Sequence, residues 1–61
     1  MFNIKTEAQR AIKAEVQLQD CYRRMSANAD SPKVRAVIHD LLLMEEMNEV
    51  LLRSLDNTLS V

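Results

Sequence analysis

The stretch Leu41-Leu42-Leu43-Met44-Glu45-Glu46-Met47-Asn48-Glu49-Val50-Leu51-Leu52 decides how this chain is read. Its residue types favour helix, and neither glycine nor proline interrupts it. Three glutamates and an asparagine stand inside an otherwise apolar run. A charge on the buried stripe of a helix is costly unless it is paired, protonated or bound to a metal. The side to which each of these residues points therefore determines whether the run carries a site.

Around this stretch, Val34, Ile38, Leu41, Glu45, Asn48, Leu52, Leu55 and Leu59 recur at the alternating four- and three-residue steps of a packed helix. That register turns Glu45 and Asn48 inward and leaves Glu46 and Glu49 outward, with Glu49 paired to Arg53 one turn on. The competing register, with Glu46 and Glu49 inward, carries Arg35, His39, Arg53 and Asp56 toward the core. Val37, Leu42, Leu43, Met44, Met47, Val50 and Leu51 fall off the chosen stripe. This helix is thus apolar over more of its circumference than one neighbour can cover.

Upstream, Ala27-Asn28-Ala29-Asp30-Ser31-Pro32 is the only interior breaker. Asn, Asp and Ser bond their own backbone, and proline disfavours helix in the residue before it. Ser31 or Asp30 can cap the second helix, with Pro32 at its first position. The first helix starts after Asn3 or Thr6, where Thr6 and Gln9 have capping-box spacing. Its inward stripe is Ile4, Ala8, Ala11, Glu15, Leu18, Tyr22, Met25 and Ala29. The expectation is a single domain over 1–61, with helix 1 at about 4–28, a turn at about 29–31 and helix 2 at about 32–57. The fold class is all-α: an antiparallel two-helix hairpin. Because 61 residues hold only a marginal core, hairpins are expected to assemble into four-helix bundles as a homo-oligomer, at least a dimer.

Composition narrows the function. A net charge of −1 leaves no basic surface for nucleic acid and no polybasic membrane patch. No apolar run is long enough to span a bilayer, and Met1-Phe2-Asn3-Ile4-Lys5 lacks the apolar core of a secretory signal. The lone Cys21 forms no internal disulfide and suits a reducing cytoplasm. Without glycine there is no phosphate-cradling loop or dinucleotide turn.

In an antiparallel hairpin turning near Asp30, residues equally far from the turn share one height, since each helix rises about 1.5 Å per residue. Glu15 and Glu45 are equidistant from it, and both lie on the inward stripes. A two-fold dimer would gather two copies of Glu15, Glu45 and Asn48, the layout of a carboxylate di-metal site in a helix bundle. Hard oxygen donors suit iron, manganese or similar divalent ions. The competing reading is a carboxyl pair sharing a proton, with Asn48 as a polar residue that fixes register.

These residues resemble the ferritin-like superfamily, in particular its rubrerythrin-like and encapsulated-ferritin-like branch, whose subunits can be single helical hairpins. The resemblance runs from about residue 8 to about residue 55. It is carried by Glu15 followed seven residues later by Tyr22, then Asp30-Ser31-Pro32, Arg35, Leu41 and Glu45. It implies iron or another divalent metal held between subunits by Glu15 and Glu45, Tyr22 packed beside the site, and ferroxidase-type activity. Asn48 stands where the family's Glu-x-x-His has histidine, and an amide oxygen is a weaker, neutral ligand. Members bound for an encapsulin shell carry a C-terminal targeting extension, which the ending Leu59-Ser60-Val61 does not match. Two alternatives belong to another class. One is a metal-free structural or interaction hairpin, and the other is an adaptor whose apolar helix 2 is covered by a protein partner.

Overall fold

The computed structural model describes residues 1–60 and contains two helices, α1 (Ile4–Asn28) and α2 (Pro32–Leu59), folded back on each other. Local chemistry fixes both starts. The Asn3 side chain accepts a hydrogen bond from the Thr6 N–H at 3.1 Å, so Asn3 is the cap and Thr6 lies within the first turn. Ser31 caps α2 by accepting from the Val34 N–H, with Pro32 at the first helical position, where its missing N–H removes no helical bond. Between them, Ala29 and Ser31 are both extended. The Arg35 guanidinium closes the turn by donating to the Ala29 carbonyl at 2.7 Å.

The hairpin is slender, 46 × 17 × 12 Å. Among the described residues only Ala8, Ile38 and Gln19 are buried. Half-buried residues trace the line where the helices meet: Ala11, Ile12, Glu15, Tyr22 and Ser26 on α1, Ala29 at its C-cap, then Leu41, Leu42, Glu45, Glu49, Leu52, Asp56 and Leu59 on α2.

This line differs from the expected stripes at specific positions. Ile4, Leu18, Met25, Val34, Asn48 and Leu55 are exposed, while Gln19, Ser26, Glu49 and Asp56 take places along the contact. Asn48 is therefore not turned toward α1, and Glu49 is not on the outer side. The reason is geometric. A stripe read from hydropathy marks the mean direction of apolar residues, whereas the contact between two lone helices follows only the line of closest approach. Along that line small residues (Ala8, Ala11, Ser26) let the helices approach, and long polar side chains bridge between them.

At 3.6 residues per turn, the displaced apolar residues share one side of the hairpin. Met25, Val34, Val37, Ile38 and Leu41 line a shallow groove there, with Lys33 at its edge. Leu18, Met44, Leu51 and Leu55 continue the same side, all exposed. The opposite side is polar, tied by ion pairs Arg23–Glu46 at 3.7 Å and Lys5–Asp56 at 3.6 Å. No helix among the described residues is long and apolar enough to cross a membrane.

Candidate functional site

The polar centre of the contact is built on Gln19, Glu15, Glu45 and Glu49. The Gln19 side-chain amide, on a residue only 4% exposed, donates to the Glu49 carboxylate at 2.8 Å and to the Glu45 main-chain carbonyl at 3.3 Å. Glu49 also accepts from Arg53 one turn along at 2.7 Å. These two sets of donors, Gln19 first and Arg53 second, hold the Glu49 carboxyl below its ordinary range. Burial opposes them, and the positive charges of Arg53 and Arg23 add to them.

Glu15 behaves oppositely. Its carboxyl is pushed above the ordinary range, chiefly because its protonated form hydrogen-bonds Glu45. Burial and then the negative charges of Glu45 and Glu49 act in the same direction. With both carboxyls ionised, its Oε2 is shielded from water and has no hydrogen-bond partner among the described residues. Asp56 Oδ1 is likewise shielded without a hydrogen bond, although the Lys5 ammonium lies 3.6 Å away.

Of the three residues singled out as metal ligands, the fold brings Glu15 and Glu45 together and leaves Asn48 on the exposed apolar side. Glu49, expected outside, joins them instead. Among the described residues no group of three or more His, Cys, Asp or Glu side chains is arranged to hold a metal ion. Tyr22 is half-buried along the same contact. Cys21 is exposed, and the Arg24 guanidinium donates to its sulfur at 3.5 Å.

Gln19 was not marked by hydropathy because its polarity matches the solvent-facing residues beside it. The available signal was its position: it lies one turn from Glu15, the charged member of the stripe, and it can both donate and accept. No family model, curated protein or solved structure matches this chain.

Proposed function

We propose that this chain is a self-assembling helical hairpin, a structural or interaction module whose working form contains more than one copy. One observation carries this reading: among the described residues just two apolar ones, Ala8 and Ile38, are buried, while Val34, Val37, Met44, Leu51 and other large apolar side chains are at least half exposed. Isolated two-helix units of this size bury too little to be robust, and association supplies the missing burial. Sedimentation equilibrium on the purified chain tests it. The expected result is a stable homo-oligomer with a concentration-dependent melting temperature. A well-folded monomer at micromolar concentration would refute it.

A second reading is favoured by the Glu15–Glu45 pair with its unpartnered Oε2. In it, two hairpins pool their carboxylates and hold a divalent ion such as Fe²⁺ or Mn²⁺ between subunits, as the resemblance to ferritin-like hairpins implies. Metal analysis of protein purified without chelator distinguishes the two. Bound metal that is lost in Glu45→Ala supports the second reading, and metal-free oligomer supports the first.

A further inference from the structure

We infer that the apolar side carrying Leu18, Met25, Val34, Met44, Leu51 and Leu55 is covered by a second copy of this chain, related by a two-fold axis parallel to the helices, and that Asn48 of the partner subunit donates its amide to the Glu15 carboxyl. The inference rests on the self-assembly reading and adds to it a face, a symmetry and a polar contact.

Area comes first. The hairpin exposes 4824 Å². A compact monomer of 7.0 kDa exposes about 4,000 Å², from the scaling of surface with mass. The excess of about 800 Å² is one partner's share of a standard interface. The radius of gyration, 14.3 Å against about 10.5 Å for a compact domain of this length, says the same of shape. A second layer stacked on the 12 Å dimension restores a compact form.

Chemistry then selects the side. Each hairpin face offers the bundle either the polar flank, already tied by Arg23–Glu46 and Lys5–Asp56, or the apolar flank, which has no partner of its own. The apolar flank adjoins buried Ile38 through the groove at Met25 and Val34, so covering it extends the existing core. Directions bisecting the α1–α2 contact and this flank contain the aliphatic stripes of both helices. That is where the middle of a four-helix bundle would lie.

Side-chain size selects the symmetry. The pairs Lys5–Asp56 and Gln19–Glu45 set the heights of the two helices. Ala11 and Ala14 then lie level with Leu51 and Asn48, and Leu18 with Met44. An axis parallel to the helices keeps heights and stacks α1 of one copy on α2 of the other, so the small Ala11 and Ala14 meet Leu51 and Asn48. An axis across the helices stacks α2 on α2 and sets its large side chains against one another.

The same operation resolves two polar groups that the lone hairpin leaves open. Asn48 is the polar residue in the middle of the apolar flank, and burying its amide without a partner would be unfavourable. Glu15 Oε2 is a shielded acceptor with no donor. Stacking brings Asn48 of the partner subunit over Ala14, at the height of Glu15, and each group satisfies the other.

Sedimentation equilibrium with circular dichroism on the full chain tests this. Met44→Glu with Leu51→Glu should weaken the dimer at least 100-fold, while Leu43→Glu with Val50→Glu, equally exposed apolar residues on the far side of α2, should leave it intact. In a double-mutant cycle on the dimer dissociation constant, Asn48→Ala should weaken association about tenfold in wild type and less than twofold in a Glu15→Ala background. A monomeric wild type overturns both the self-assembly reading and this inference. A dimer dissociated by the Leu43/Val50 pair and not by the Met44/Leu51 pair leaves self-assembly standing and overturns this face. Additive effects of Asn48→Ala and Glu15→Ala overturn the polar contact.

Discussion

The side-chain amide of Gln19 on α1 and the carboxylate of Glu49 on α2 meet at 2.8 Å across the line where the helices touch. This bond joins the helices at mid-length through a residue that is almost fully buried. Replacing Gln19 with alanine removes donors to both Glu49 and the Glu45 carbonyl. The expected loss is about 1–2 kcal/mol in urea denaturation, the size of one hydrogen bond to a charged group together with a weaker neutral one. Gln19→Glu should be worse at neutral pH, because it adds a third acid beside Glu45 and Glu49, and should recover on acidification.

Glu15 gives the hairpin a defined pH response. Its carboxyl titrates higher folded than unfolded, so the folded chain holds the proton more tightly. By linkage, stability from this group is fully present below the unfolded value of about 4.3 and is lost as pH rises through the higher folded value. Glu49 has the opposite sign: its folded value is lowered, and its contribution is lost as pH falls through that value. Glu15→Gln, which keeps the shape and removes the charge, should raise the melting temperature at pH 7 and leave it nearly unchanged at pH 4. An equal shift at both pH values would exclude ionisation of Glu15 beside Glu45 as the cause.

Among the described residues Ile38 is the one large apolar side chain that is buried. Ile38→Ala should cost about 2–4 kcal/mol, by lost transfer energy and a residual cavity. Leu43→Ala, half-exposed on the far side of α2, should cost under about 1 kcal/mol. Chemical denaturation of the two variants side by side measures the contrast.

The helix starts make a local prediction. Asn3→Ala should destabilise by about 1 kcal/mol, since it removes the acceptor for the Thr6 N–H. Thr6→Ala should be nearly neutral or slightly stabilising, because Thr6 is inside the helix and alanine is the better helix former. Ser31→Ala should resemble Asn3→Ala. Amide hydrogen exchange in the first turn of each helix locates the change.

The helices, their boundaries and the turn were legible because the relevant signals are local: no glycine, one proline, and Asn-Ala-Asp-Ser ahead of it. The end of α2 runs to Leu59, two residues beyond the expected limit, since no breaker stands at Asn57. The nearness of Glu15 and Glu45 followed from counting residues to the turn. The partner of that pair did not. Asn48 and Glu49 are adjacent, and hydropathy assigned the inward place to the uncharged one, whereas Gln19 across the contact gives the carboxylate a donor that a single helix's pattern does not reveal. Likewise Leu18, Met25, Val34 and Leu55 were assigned inward by the company they keep. They are exposed because a stripe reports the mean direction of a helix's apolar residues, and within one chain each helix meets just one neighbour.

Pro32 bears on how copies of this chain can exchange. It has no backbone N–H, and in a helix continued through the turn its ring would collide with the carbonyl of Asn28, at a cost of about 3 kcal/mol or more. The turn is therefore a poor hinge for straightening into one rod, the step by which helical hairpins trade arms. Domain swapping is disfavoured from the outset, so any association of hairpins would proceed between closed units.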